Sequence, residues 1–220
     1  MNKKVLIILL MCFGLILLFP PLPEKASFTS VFRITDKPTA ITRGTYGSAL
    51  TINISFGDDE IEKWVQELEK PYPLLFIEMN WAGRYPETIR LINEKNIPTA
   101  LFGDNGEAYG EDANKLLSEI EQFEQFFGIK PLWFRTSDEV FPYFLHSMLL
   151  EEEINALSSS FRWKSGEIPP MTEGEIISVP HHRGDRVSLI ELKRLLDSRE
   201  FQSVEDVLFG ISAKSKKIPE

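Results

Sequence analysis

Residues 48–60 read SALTINISFGDDE. From Ala49 to Phe56 apolar and polar side chains alternate, the period-2 pattern of a β-strand with two different faces. Asn53 sits in that strand between Ile52 and Ile54. Strands disfavour asparagine, so a neutral amide there calls for a reason beyond local propensity. Gly57 ends the strand, and Ile61, Trp64, Val65 and Leu68 then fall at i, i+3, i+4 and i+7, which predicts an amphipathic helix over 58–70. Asp58 and Asp59 open that helix, where carboxylates accept from free N–H groups and suit the dipole. They read as a helix start rather than a metal or acid–base pair.

The same strand-then-helix unit repeats along the chain. Strands are expected over 74–81, 97–102, 132–135, 158–163 and 175–179, with a last one near Phe201. Helices are expected over 86–94, with Pro86 in the first turn, over 112–127, stopped by Gly128, near 139–155, and over 188–196. This alternation predicts an α/β barrel or a doubly wound sheet. In either, functional residues gather where the strands end.

The chain has 220 residues, 43% of them apolar, and a formal net charge of −9. That balance argues against nucleic acid as a partner. The one cysteine, Cys12, excludes a disulfide framework and a cysteine-based zinc site. It lies in a run from Val5 to Phe19 that follows Lys3 and Lys4 and is closed by Pro20, Pro21 and Pro23. The run reads as an N-terminal signal-anchor over 1–22, with a cleaved signal and a buried core helix as the alternatives. With the lysines held inside, the domain faces outward. A linker over 23–40, a domain over 41–212 and a tail over 213–220 complete the expected organisation.

Few residues carry a chemical signal. His181 and His182 directly follow a predicted strand, where a functional histidine belongs, whereas His146 sits in an apolar helix and reads as core. Arg135 and Asp138 lie just past another strand end, where an ion pair is possible. Glu151–Glu153 reads as a solvated helix face. Trp81, Trp133, Trp163 and Tyr85 offer either sugar-stacking faces or core packing. The sequence contains no G-x-S-x-G, P-loop or G-x-G-x-x-G motif.

The order of segments resembles the polysaccharide deacetylase family (NodB homology domain), most nearly its membrane-anchored sporulation branch. Thr51-Ile52-Asn53-Ile54-Ser55-Phe56-Gly57 stands where the family has T-F-D-I-S-W-G or T-F-D-D-G. Asn80-Trp81-Ala82, Tyr85-Pro86-Glu87-Thr88, Gly128-Ile129-Lys130-Pro131 with Phe134-Arg135, and Gly174-Glu175-Ile176-Ile177 continue the likeness, as does Glu191 to Leu208, over about residues 40–210. The resemblance implies a deformed (β/α) barrel. It also implies a zinc or other divalent metal held by two histidines, often with an aspartate, a separate aspartate base and a late histidine acid. Asn53 matches the base, Ile54 the metal aspartate, Leu101 and Asn105 the metal histidines, and Pro180 the final histidine, with His181 one step along. A neutral amide takes no proton, and isoleucine and leucine offer a metal no lone pair. The expectation is therefore a deacetylase-like protein without the family's metal, binding peptidoglycan or another envelope glycan through Trp81, Tyr85, Arg135 and His181. The rival expectation is a residual or repurposed deacetylase using His181, His182, Arg135 and Asp138.

Overall fold

The computed structural model describes residues 39–210, apart from 58, 113 and 183. Seven strands form one parallel sheet: β1 (Ser48–Ile54), β2 (Leu74–Ile77), β3 (Thr99–Phe102), β4 (Trp133–Arg135), β5 (Asn155–Ala156), β6 (Phe161–Arg162) and β7 (Glu175–His181). Their order is β5-β4-β3-β2-β1-β7-β6, so β1 lies between β2 and β7. Eight helices connect or flank them among the described residues: α1 (Asp59–Glu67), α2 (Met79–Arg84), α3 (Pro86–Lys95), α4 (Ala108–Glu111), α5 (Asn114–Phe127), α6 (Tyr143–Glu151), α7 (Leu189–Leu196) and α8 (Val204–Phe209). The sheet curls into a deformed (β/α) barrel, the architecture that the alternation and the resemblance predict.

Side-chain alternation sorts each strand onto two faces. Leu50, Ile52 and Ile54 of β1 join Ile61, Trp64, Trp81, Leu101 and Phe134 in a large outer core beneath the helices. The opposite face supplies Ala49, Phe76, Ala100, Phe102, Trp133 and Ile176 to a smaller inner core, closed by Val204 and Val207 of α8. Both faces are buried, so β1 is covered along its whole length. That is why its polar residues Ser48, Thr51 and Asn53 must find partners inside the protein.

Three expectations for the elements are revised. The strand predicted over 74–81 stops at Ile77, because the Glu78 carboxylate accepts from the N–H groups of Asn80 and Trp81 and starts α2. The strand expected near Phe201 shrinks to a single bridge between Gln202 and Ala49, and Ser203 caps α8 immediately afterwards. β5 and α4 carried no periodic signal, being too short to show one. Elsewhere boundaries shift by a few residues, with α1 ending at Glu67 and β7 running on to His181. The βα turn after β1 depends on Gly57, whose φ of +107° disfavours a side chain. A Cβ there would also lie 2.6 Å from Ile61 Cγ1 and 3.0 Å from His181 Nε2.

The predicted N-terminal anchor (1–22), nearly all of the linker (23–40) and the C-terminal tail (213–220) lie outside the described residues. Among the described residues no helix is long and apolar enough to cross a membrane.

Candidate functional site: the barrel mouth

The inner face of β1 continues from Thr51 to Asn53, and Asn53 pairs in register with Pro180 of β7. Its amide is satisfied at both ends. Asn53 Oδ1 accepts from Arg135 Nη1 at 3.0 Å, and Nδ2 donates to Ser178 Oγ at 3.1 Å. Arg135, at the end of β4, is fully buried. It also donates to Thr51 Oγ1 at 2.6 Å, Leu157 O at 2.9 Å and Ser158 O at 3.0 Å, and its guanidinium lies 4.1 Å over the Phe76 ring. Burial pulls its pKa down to about 10, with Glu139 opposing and Arg162 adding to the fall. Arg135 stays cationic at neutral pH.

Glu139 is its acidic neighbour. Its backbone takes a φ of +58°, and Oε2 accepts from Ser158 Oγ, Ser159 Oγ and Ser159 N at 2.7–2.8 Å. Burial raises the carboxyl's pKa, but the Arg135 charge and these hydrogen bonds outweigh it and hold the group below the ordinary glutamate range.

Above this floor lies a rim built from the same inner faces. Ser55 Oγ is 2.7 Å from His182 Nδ1, and the imidazole stacks on Phe102 with centroids 5.1 Å apart. Arg162 lies opposite Ser178 in the β6–β7 ladder and donates through Nη2 to Ser137 O at 3.1 Å. Burial first, then the Arg162 charge, pushes the His182 pKa down to about 4. Three atoms of this rim are buried without a hydrogen-bond partner: Arg162 Nε, His182 Nε2 and Glu139 Oε1.

These positions correct several sequence expectations. His181 points to the outer face, 3% exposed, with Nε2 3.8 Å from Glu60 Oε1. Adjacent residues of an extended strand face opposite ways, so His182 is the histidine at the mouth. Asp138 forms no ion pair with Arg135; it is exposed, and its Oδ1 accepts from Gly106 N and Val140 N. Leu101 packs in the outer core, and its neighbours Ala100 and Phe102 are the β3 residues turned inward. Asn105 is an exposed loop residue whose Oδ1 accepts from Ala108 N. Trp81, Trp133 and Trp163 are at most 2% exposed and offer no stacking face. The Trp81 indole donates to Gly57 O, and Tyr85 leans on Trp81 with ring centroids 5.2 Å apart.

Sequence reasoning missed Ser55, Glu139 and Arg162. Period-2 counting from Asn53 reaches Ser55, but the ladder that places Arg162 and the Ser158 and Ser159 hydrogen bonds that hold Glu139 join separate segments of the chain. The residues at the mouth do not fit the metal that the resemblance implies. A catalytic zinc site takes about three protein ligands. The mouth offers the imidazole of His182 and the Glu139 carboxylate, two donors at most, beside two guanidinium groups, and cationic neighbours raise the free energy of a bound cation. Among the described residues no group of three histidines, cysteines, aspartates or glutamates is placed to hold a metal ion.

No protein-family model and no curated protein matches the sequence. Solved structures do match. A CE4 family pseudoenzyme from Bacillus anthracis aligns with TM-score 0.63 at 15% identity, over 78% of this chain and 69% of that one. A mutant of it is described as having restored enzymatic activity. A peptidoglycan N-acetylglucosamine deacetylase aligns with TM-score 0.66 at 14% identity, over 76% and 91%. A family 4 carbohydrate esterase from Bacillus subtilis aligns with TM-score 0.61 at 12% identity, over 84% and 88%. At such identities the likeness is one of fold. The chain carries the deformed barrel of the polysaccharide deacetylases, with Asn53, Arg135 and His182 at its mouth.

Proposed function

We propose that this protein is a polysaccharide deacetylase-like binding or regulatory protein of the cell envelope that holds a glycan without deacetylating it. The observation that supports this reading is the bond between Asn53 and Arg135. A base must be able to take a proton, and an amide that accepts from a buried guanidinium cannot. Peptidoglycan is the glycan class suggested by the neighbouring structures. The N-terminal segment would tether the domain on the outer side of the membrane, and a role in sporulation is part of the same proposal.

The full-length protein is expected to sediment with insoluble peptidoglycan or chitin and to release no acetate from either. It is also expected to retain no stoichiometric zinc after dialysis. Deacetylase activity abolished by a chelator and restored by zinc would overturn the proposal. For the tether, protease added to intact protoplasts should remove the domain and leave a membrane-bound stub. Complete protection would place the domain inside.

One observation favours a repurposed hydrolase instead. Ser55 Oγ and His182 Nδ1 are at hydrogen-bond distance, the contact made by a nucleophile and its base. Against it, His182 Nε2 has no group to orient it, and a pKa of about 4 makes the imidazole a weak base. Labelling of Ser55 by a fluorophosphonate would favour the hydrolase.

A further inference from the structure

The rim holds a cation that no group among the described residues neutralises. Arg162 sits on the inner face, opposite Ser178, in a chain whose formal net charge is −9. Among the described residues no carboxylate lies within ion-pair distance of it, and its hydrogen bond is to a backbone carbonyl, Ser137 O. The neighbouring charges are matched elsewhere. Glu139 faces Arg135, while Lys164 pairs with Asp185 at 2.8 Å. Arg186 pairs with Glu60 at 3.2 Å. Arg162 therefore acts alone, and its field reaches both Arg135 and His182.

The unpartnered atoms add a second, independent indication. Arg162 Nε is a guanidinium donor, buried with no acceptor. His182 Nε2 is buried and unpartnered too, and it carries the hydrogen whenever Nδ1 accepts from Ser55. Buried donors are normally satisfied, and exceptions call for an explanation. A guanidinium presents its donors as a planar fork that matches a carboxylate.

We propose that the mouth between β4, β6 and β7 is a binding subsite for an oxyanion, the carboxylate of an acidic sugar, with Arg162 as anchor and His182 as second donor. Its donors are Arg162 Nε and His182 Nε2, beside the Ser55 hydroxyl; the rim's one carboxylate, Glu139, has its charge offset by the buried Arg135. Arg162 Nε and His182 Nε2 are both covered in this conformation, so the grip requires the half-buried arginine side chain to turn and open the site. The Phe102 ring beneath His182 keeps the imidazole in place. This rests on the glycan-binding reading and narrows it to acidic sugars.

The test uses the full-length chain with labelled histidine, since only three histidines contribute signals. D-glucuronate, its neutral methyl ester and inorganic phosphate are titrated separately while the His182 resonances are followed. Glucuronate should shift them and raise the His182 pKa, because a bound anion offsets the Arg162 charge. The ester should bind roughly tenfold or more weakly, about the effect of losing one charge-assisted contact. Arg162→Ala should lose the response. Arg162→Lys, which keeps the charge but not the fork, should retain part of it and guards against loss of fold.

Equal binding of acid and ester, or an unchanged response in Arg162→Ala, overturns the subsite. Phosphate binding as tightly as glucuronate overturns its assignment to a sugar acid. Glycan sedimentation separates the two proposals. Binding to neutral chitin with no glucuronate response leaves the general function standing and removes this subsite. A glucuronate response without binding to any envelope polymer does the reverse.

Discussion

The two faces of β1 are equally buried and are held by different physics. Outward, Leu50, Ile52 and Ile54 pack among the helices, and Trp81 is among the largest fully buried side chains of that layer. Inward, the largest fully buried polar side chain is Arg135, and Thr51 and Asn53 meet it through directed hydrogen bonds. An apolar layer depends on volume and tolerates similar shapes. A buried polar network depends on every partner, since one missing leaves the others unsatisfied. The contrast predicts that substitutions on the inner face cost more than substitutions of similar size on the outer one.

Arg135→Leu attacks the inner face directly. It leaves Asn53 Oδ1, Thr51 Oγ1, Leu157 O and Ser158 O without their donor and Glu139 without its counter-charge. A loss of about 3–5 kcal/mol is expected in urea unfolding, the range for breaking a buried charged network. A loss below about 1 kcal/mol would show that water replaces the guanidinium.

Asn53→Asp sharpens the same point with the opposite sign. Sequence alone suggests an unpaired carboxylate beside apolar Leu101, and hence a loss of stability. The structure places Leu101 on the other face and Arg135 within reach. The new carboxylate would pair with Arg135, so stability at pH 7 should be unchanged or rise by about 1–2 kcal/mol. Pairing depresses the folded pKa of the introduced carboxyl. The gain is therefore complete above the unfolded value of about 3.9 and lost as pH falls through the folded value. A melting temperature lowered at pH 7 would refute the pairing. Histidines introduced at positions 101 and 105, where the resemblance puts the metal histidines, would lie in the outer core and in an exposed loop.

Ile52→Val tests the outer face and should cost about 0.5–1.5 kcal/mol, the usual effect of one buried methylene. A larger loss would indicate that the outer layer is as position-specific as the inner one.

The last test reads a slope rather than a single free energy. His182 stays neutral in the folded protein down to about pH 4, whereas the unfolded chain protonates it near 6.5. Between those values the unfolded state binds more protons, so stability rises with pH and is eroded on acidification. Burial shifts His181 and His146 the same way. Urea midpoints measured from about pH 7.5 to about pH 4 should fall, and His182→Gln should flatten that fall. An unchanged slope would show that the imidazole charges freely in the folded state.

The sequence by itself determined the βα alternation, the start of α1 and the strand that carries Asn53, because those depend on local periodicity and turn chemistry. Ile61, Trp64 and Val65 lie on the buried face of α1 as their spacing requires. Alternation also requires that His181 and His182 face opposite ways, but it does not say which one faces inward. That choice follows from the ladder in which Pro180 meets Asn53 and His181 meets Ile54. Only the tertiary structure brought Arg135 to Asn53 across 82 residues and Arg162 to the rim, and turned Asp138 away to cap a loop. The physical reason is range. Periodicity acts over a few residues, whereas burial forces each polar group to a partner wherever in the chain that partner lies.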